Sequence, residues 1–253
     1  MPHRDHIHWG AEADEGHGCE HLLEVRGLHV HYGAVCALHD ISFKVACGHS
    51  LALLGSNGAG KSTLLKSIAG LLPAGKGTIY WRGQPVRKHT YEIAYLPQRE
   101  AVDWNFPITV RGMVEMGCYA QLGAWRTFGP HEDGVVQKAI RAMKLEDVQD
   151  RQIAALSGGQ QQRAFIARAL AQEAHVLLLD EPFSGLDQPA QDMLTGLLAE
   201  LVEEGRLVMA SHHDLKSVAS SFDLALLIKR EIVAFGPPGE SMSESNLAEA
   251  FTA

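Results

Sequence analysis

The sequence of 253 residues has no apolar run of the roughly 18–20 residues that a membrane-spanning helix needs. It also has no basic excess, because 22 lysines and arginines against 30 acidic residues give a net charge of −8. That balance argues against a nucleic-acid partner, which usually meets a basic face. The first residues contain no apolar signal core, so we expect a chain that is not secreted.

Cysteine is scarce and scattered. The four thiols show no C-x-x-C spacing; they are Cys19, Cys36, Cys47 and Cys118. Such cysteines are typical of reduced thiols in a cytosolic protein. We therefore expect a cytosolic protein, in which any association with a membrane comes through a partner.

Residues 1–21 are polar and rich in histidine, without any period, which predicts a disordered tail. Its imidazoles, its carboxylates and Cys19 also allow weak binding of Zn²⁺, although the histidine spacing matches no closed tetrahedral site. Two interpretations stay open, a plain polar tail and a metal-binding one, and a Zn²⁺ titration of the tail peptide separates them.

Residues 22–253 predict one α/β domain with a mainly parallel sheet flanked by helices. Alternating apolar residues up to Val45 predict a small antiparallel sheet first. Residues 99–155 contain helical stretches separated by Gly and Pro, a pattern that predicts an inserted helical subdomain. The predicted later strands are 50–54, 78–81, 93–96, 176–179 and 207–210, and the predicted helices are 61–72, 110–122, 133–143, 158–171 and 188–204.

The segment Gly55–Ser62 fits the pattern G-x-x-x-x-G-K-[ST] between a predicted strand and a predicted helix. Glycine amides can close around phosphate oxygens, and the helix N-terminus favours an anion. Lys61 would pair with the β- and γ-phosphates, and the Ser62 hydroxyl would ligate Mg²⁺. The alternative is a chance glycine-rich turn. The predicted nucleotide-binding residues of this loop are Gly55, Ser56, Asn57, Gly58, Ala59, Gly60, Lys61, Ser62 and Thr63.

A second chemical signal is the apolar strand Val176–Leu179, which runs into two carboxylates. Asp180 at its tip can hold Mg²⁺ directly or through water. Glu181 can polarise the attacking water as a general base or an orienting group. A solvated acidic strand end is the alternative interpretation.

Leu156–Gln160 reads LSGGQ and opens a predicted helix. Ser157 and the following glycine amides would face an anion at the positive helix end. A plain helix cap is the alternative, since Ser before Gly is a good N-terminal signal.

The order and spacing of these motifs resemble those of ATP-binding-cassette ATPases from about Leu22 to about Phe251. The matching elements are the phosphate loop, Gln98, LSGGQ, LLLDE, the segment Ser184–Asp187 and His213. The resemblance implies a P-loop NTPase fold of the ABC type, with an N-terminal antiparallel β subdomain and an inserted helical subdomain. It also implies ATP and Mg²⁺ as ligands.

The resemblance assigns further roles. Tyr32 would stack on adenine, or alternatively pack at a strand end. Gln98 would sense Mg²⁺ and the attacking water, and Asp187 would lie in a loop that crosses a dimer interface. His213 would contact the γ-phosphate, whereas its neighbour His212 would be structural.

In this family two cassettes enclose two ATP molecules, each between the phosphate loop of one copy and the LSGGQ of the other. The resemblance therefore implies a second copy of the chain as partner. It also implies that four residues contact the ATP bound in the phosphate loop of the partner copy: Ser157, Gly158, Gly159 and Gln160.

The segment from Gln98 to Val110 is similar to that of ATPases of manganese, zinc and iron importers. Trp104, Phe106 and Pro107 would form an exposed apolar patch that receives a cytoplasmic helix of a permease, unless the two aromatic rings pack inside the helical insert. The resemblance implies an integral membrane permease and, indirectly, a solute-binding protein. Import of haem, siderophore or cobalamin, a soluble ATPase without a permease, and a regulator without turnover remain alternatives.

Overall fold

Two β-sheets frame the molecule in the computed structural model, which describes residues 21–86, 90–104, 106–122 and 127–252. The predicted tail lies almost entirely outside these ranges. The described strands are β1 (Leu22–Tyr32), β2 (Val35–Ala46), β3 (His49–Leu54), β4 (Lys76–Trp81), β5 (Gln84–Pro85), β6 (Ile93–Leu96), β7 (Val176–Leu179), β8 (Leu207–Ser211), β9 (Leu224–Lys229) and β10 (Glu231–Gly236).

The smaller sheet is antiparallel, with the order β2-β1-β4-β5. In β2 the apolar side chains of Ile41, Phe43 and Val45 are buried, whereas Ser42 and Lys44 between them are exposed. This alternation is the one expected of a sheet with one covered face. The structure thus confirms the predicted antiparallel sheet.

The larger sheet has the order β10-β9-β3-β8-β7-β6, and every pairing except that of β10 is parallel. Strands β7 and β8 are buried along their whole length, as parallel strands covered on both faces must be. The predicted mainly parallel sheet is confirmed. Its carboxyl edge receives the loops that follow β3, β6, β7 and β8, and these loops carry the predicted site residues.

Helices cover the larger sheet. They are α1 (Lys61–Ile68), α2 (Val110–Leu122), α3 (Pro130–Ala142), α4 (Gly158–Ala171), α5 (Gln188–Glu203), α6 (Leu215–Ser221), α7 (Pro238–Ser241) and α8 (Glu244–Phe251). Helices α1 to α5 correspond to the five predicted helices, and α6 to α8 were not predicted. Among the described residues, no helix combines the length and the apolar character needed to cross a membrane.

Two helix bounds differ from the predictions by three residues or more. Helix α1 ends at Ile68, not at residue 72, because Gly70 adopts a φ of 70° and the amide of Leu71 donates to the carbonyl of Lys66. That pair of features closes the helix as a Schellman motif. Helix α3 begins at Pro130, not at residue 133, since Pro130 suits the first turn and the Glu132 carboxylate accepts from the Gly129 amide.

Two hydrophobic clusters meet at the larger sheet. One fills the space between the two sheets, with Leu51, Leu53 and Ile68 among its members. The other joins the opposite sheet face, including Ala52 and Leu54, to helices α2, α3, α4 and α5. The helices between residues 99 and 155 therefore share a core with the sheet, while their assignment to a separate inserted subdomain stays a prediction.

The crossing of α2 over α4 depends on Gly117. A Cβ atom there would lie 2.2 Å from the carbonyl oxygen of Arg168 and 3.1 Å from Cβ of Ala171. We expect Gly117→Ala to lower the free energy of unfolding by about 1–3 kcal/mol, because backbone atoms must move apart. Gly134→Ala is the matched control, since its Cβ would meet open space within α3. Urea unfolding of both variants checks this, and equal stabilities would contradict it.

Candidate active site

The phosphate loop connects β3 to α1, and two of its glycines are required by close packing. At Gly55 (φ 150°) a Cβ atom would lie 2.3 Å from the carbonyl oxygen of Ile228. At Gly60 (φ 104°) it would lie 2.8 Å from the carbonyl oxygen of Ala37. Gly60 also precedes α1 without supplying a side-chain cap, so the first amides of α1 remain available to an anion.

Lys61 holds this loop together. Its Nζ donates to the carbonyl oxygens of Gly55 at 2.7 Å and Ser56 at 3.0 Å. Burial lowers the pKa of the Lys61 ammonium, while the nearby charges of Glu181 and Asp180 act in the opposite direction. The result is a cation placed between the loop carbonyls and the acidic end of β7.

Asp180 lies at the carboxyl end of β7 and is only 1% exposed. Its Oδ1 accepts from the Ser211 hydroxyl at 2.9 Å, and its Oδ2 accepts from the Tyr95 hydroxyl at 3.4 Å. Burial, with Asp180 beside it, raises the pKa of Tyr95, which keeps that phenol a proton donor. These two hydroxyls fix the orientation of the carboxylate.

Glu181 contacts the other two predicted catalytic side chains. Its Oε1 accepts from Nε2 of Gln98 at 2.7 Å and lies 2.7 Å from Nε2 of His213. Its backbone has a φ of 52°, in the left-handed region that residues other than glycine seldom adopt, and its amide donates to the Ser211 hydroxyl at 2.7 Å. Strained backbone that several neighbours hold in place is frequent at functional sites.

A cleft of about 490 Å³ brings these elements together, here called the P-loop cleft. Tyr32 stands at its mouth, 51% exposed. The predicted residues that line it are Tyr32, Asn57, Gly58, Gly60, Lys61, Ser62, Thr63, Gln98 and Glu181. The remaining loop residues are Gly55, Ser56 and Ala59, whose carbonyls accept from Lys61 and from the Arg230 amide.

Part of LSGGQ lines a different hollow of about 370 Å³, here called the signature pocket, and the predicted residue Gly158 is not among its lining residues. It is lined by Ser157, Gly159, Gln160 and Asp187, together with Lys144 and Arg163 among others. Within one chain, therefore, the predicted nucleotide-binding residues form two separate groups.

Ser157 also acts as a helix cap. Its Oγ accepts from the Gln160 amide at 3.3 Å, and the Gln160 Oε1 accepts from the Ser157 amide at 3.0 Å. This reciprocal pair is a capping box. Asp187 likewise caps α5 by accepting from the Ala190 amide at 3.0 Å. The capping interpretation is thus correct for Ser157, and Gly159 in the first turn of α4 lines the pocket.

Two of the three predicted Mg²⁺ ligands suit a cation that is shared with phosphates, whereas the third, Asp180, does not line the cleft and its two oxygens accept from Ser211 and Tyr95. Ser62 and Gln98 face the P-loop cleft, and Gln98 uses its amide nitrogen on Glu181, which leaves its carbonyl oxygen available. Among the described residues, no three His, Cys, Asp or Glu side chains form a metal cluster. Mg²⁺ is usually bound in this way, by few protein oxygens together with phosphates and waters.

The adjacent histidines differ in the way the sequence suggested. His213 is 47% exposed at its side chain and reaches Glu181. His212 is buried between Phe183 and Phe222, with Nε2 2.7 Å from the Ser217 hydroxyl. Burial lowers the pKa of His212, so its neutral form is favoured. His212 is a packing residue.

The aromatic segment after Gln98 is only partly as predicted. Trp104 is half-buried and not fully exposed as predicted, because its ring packs on Phe165 at 4.9 Å and its Nε1 donates to the Arg99 carbonyl at 2.9 Å. Phe106 is 57% exposed. Met116 and Tyr119, one turn apart on α2, are exposed apolar side chains as well.

The motifs missed several residues of the site. Ser211 and Tyr95 orient Asp180, and Cys36 and Arg230 line the P-loop cleft. Ser211 ends β8 just before the two histidines, and that position is a signal that could have identified it. Tyr95 lies inside a short strand, where nothing in the sequence marks a polar contact.

Comparisons with known proteins agree with this arrangement. The family model described as ABC transporter matches residues 38–184. The manganese transport system ATP-binding protein of Halalkalibacterium halodurans is 39% identical over 230 residues, or 91% of this chain and 92% of that protein. The zinc transport system ATP-binding protein of Treponema pallidum is 40% identical over 231 residues, or 91% and 87%.

A solved structure, described as a metal-chelate type ABC transporter in an inward-facing conformation, aligns with a TM-score of 0.79 at 30% identity. The alignment covers 91% of this chain and 89% of that chain. Fold and sequence therefore point to the same group of proteins.

Proposed function

We propose that this chain, which belongs to the ABC transporter family, uses its ATPase activity to power the import of a transition-metal ion through a separate membrane permease. The family membership confirms the predicted P-loop NTPase fold of the ABC type and the predicted activity as an ATPase. The observation that carries the choice of cargo is the identity of about 40% over nine tenths of the chain with ATP-binding proteins of manganese and zinc transport systems.

The separation of the P-loop cleft from the signature pocket supports a dimer. Phosphate-binding groups in both places would serve one nucleotide only if the second group came from another copy. In the proposed dimer, ATP in the P-loop cleft of one copy meets Ser157, Gly159 and the α4 amides of its partner. The nucleotide then supplies part of the interface, so closure depends on ATP.

The contacts of Glu181 support its role in hydrolysis. A carboxylate held by Gln98 and His213 can accept a hydrogen bond from the attacking water and take its proton as the water oxygen bonds to the γ-phosphorus and ADP leaves. Lys61 and the α1 amides would stabilise the charge on the β- and γ-phosphates. Ser62, Gln98 and Asp180 would hold Mg²⁺, directly or through water, and that ion would neutralise further charge on the phosphates.

Exposed apolar side chains in the segment after Gln98 and on α2 support a permease contact. Phe106, Met116 and Tyr119, here called the apolar patch, are all more than two fifths exposed. These side chains would receive a cytoplasmic helix of the permease and place the chain peripherally on the cytoplasmic face of the membrane. A solute-binding protein would deliver the ion to the outer side of that permease.

Co-expression with a permease of the metal-ion type tests the cargo. We expect the two to purify together, and proteoliposomes containing them, with their solute-binding protein present, to take up Mn²⁺ or Zn²⁺ only when ATP is supplied. Tyr119→Glu should reduce co-purification, and Tyr91→Glu, an exposed tyrosine outside the patch, serves as the control. Stable association with a haem, siderophore or cobalamin permease instead, with uptake of that chelate, would overturn the proposal.

A further inference from the structure

Arg99 connects the two groups of nucleotide-binding residues within one chain. It directly follows Gln98, whose amide is hydrogen-bonded to Glu181 in the P-loop cleft. Its Nη2 donates to Oε1 of Gln161 at 3.0 Å, in the first turn of α4. The path from the acidic end of β7 to the signature helix therefore runs from the Gln98 side chain along the backbone to Arg99, and from the Arg99 side chain to Gln161.

The guanidinium of Arg99 lies directly beneath the glycine that opens α4. A Cβ atom on Gly158 would come within 2.9 Å of Cζ of Arg99, so the planar group packs against the backbone of LSGGQ. Because the guanidinium is packed closely against this backbone, a movement of Arg99 must either shift the backbone of LSGGQ or break the hydrogen bond to Gln161.

The neighbours of Arg99 limit its freedom. Its carbonyl oxygen accepts from Nε1 of Trp104 at 2.9 Å, and the Trp104 ring packs on Phe165 of α4. Gln161 in turn donates to the carbonyl of Ile153 at 3.1 Å. A second connection joins α4 to the end of β7, since Gln162 donates at 3.2 Å to the carbonyl of Pro182, the residue after Glu181.

We propose that Arg99 is a positioning residue that transmits the state of the P-loop cleft to the signature pocket of the same chain. The inference rests on the proposed dimer, in which that signature pocket completes the other ATP site. A shift of Gln98 on nucleotide binding then moves LSGGQ relative to the second nucleotide, and the two sites become cooperative. Neither site needs direct contact between Arg99 and ATP.

The test compares the ATP dependence of hydrolysis by the full chain and by Arg99→Ala. We expect a Hill coefficient approaching 2 for the unaltered chain and one close to 1 for the variant, since two coupled sites set the upper limit at about 2. ATP affinity measured on the dilute monomer should not change, because Arg99 does not line the P-loop cleft.

Three further variants sharpen the result. Arg99→Lys keeps the charge without the planar fork and should give an intermediate coefficient. Trp104→Phe keeps a ring on Phe165 but loses the hydrogen bond to the Arg99 carbonyl, so its Hill coefficient should also fall. The Arg99→Lys and Trp104→Phe variants remain informative if Arg99→Ala fails to fold. Arg141→Ala, on the exposed side of α3, is the control and should match the unaltered chain.

The outcomes separate the two proposals. Folded Arg99 and Trp104 variants that keep the coefficient of the unaltered chain, or that lose only thermal stability and turnover, would overturn the role of Arg99 alone. A coefficient of about 1 for the unaltered chain, without ATP-dependent dimers, would overturn the dimer and this inference together.

Discussion

Glu181→Gln is expected to reduce ATP hydrolysis by roughly a hundredfold or more while ATP binding persists, which is the scale of losing a general base. The amide has nearly the same shape, and its oxygen can still accept from Gln98. It cannot take a proton from water. In the proposed dimer the bound ATP is then not consumed, so closed dimers accumulate and elute as such in size-exclusion chromatography.

The control for this experiment is Glu203→Gln at the exposed end of α5, which should leave turnover and oligomeric state unchanged. Unaltered hydrolysis in Glu181→Gln would refute the role of this carboxylate. Lost hydrolysis with retained ATP binding but without dimers would preserve that role and contradict the two-copy site.

The second large effect is expected from alanine substitution of His212 and His213. One variant should lose stability and the other should lose turnover. His213→Ala removes an exposed side chain beside Glu181, so turnover should fall by about a hundredfold with little change in stability. His212→Ala removes a buried ring between two phenylalanines, and should lower the free energy of unfolding by about 2 kcal/mol.

Each histidine variant is the control for the other, because the two positions are adjacent and the substitution is the same. Steady-state ATPase rates and urea unfolding curves provide the two measurements. The assignment fails if His212→Ala loses turnover while its fold stays intact, or if His213→Ala unfolds as readily as its neighbour.

The sequence predicted the framework well because the relevant signals are local. Gly55 and Gly60 flank a loop whose backbone needs glycine, and β7 is a short apolar run that ends in Asp180 and Glu181. Parallel strands bring their carboxyl ends to one edge, so finding the strands nearly fixes which side chains meet.

The errors and omissions concern contacts between distant segments. An aromatic residue in a loop has no sequence mark that separates packing from exposure, and Trp104 packs because Phe165 on α4 lies under it. Tyr95 is joined to Asp180 across 85 positions, and its place beside the carboxylate follows from the pairing of β6 with β7. Such contacts exist only after the topology is known.

The division between the P-loop cleft and the signature pocket has a consequence for the kinetic order of the reaction. Among the described residues, none lines both places. For free copies in the proposed dimer, the rate of closure would rise with the square of protein concentration, and dilution would suppress hydrolysis. Two copies held side by side on one permease would meet instead at a fixed effective concentration, which can reach the millimolar range. Turnover would then be governed by attachment to the membrane partner, and unattached chains would consume little ATP.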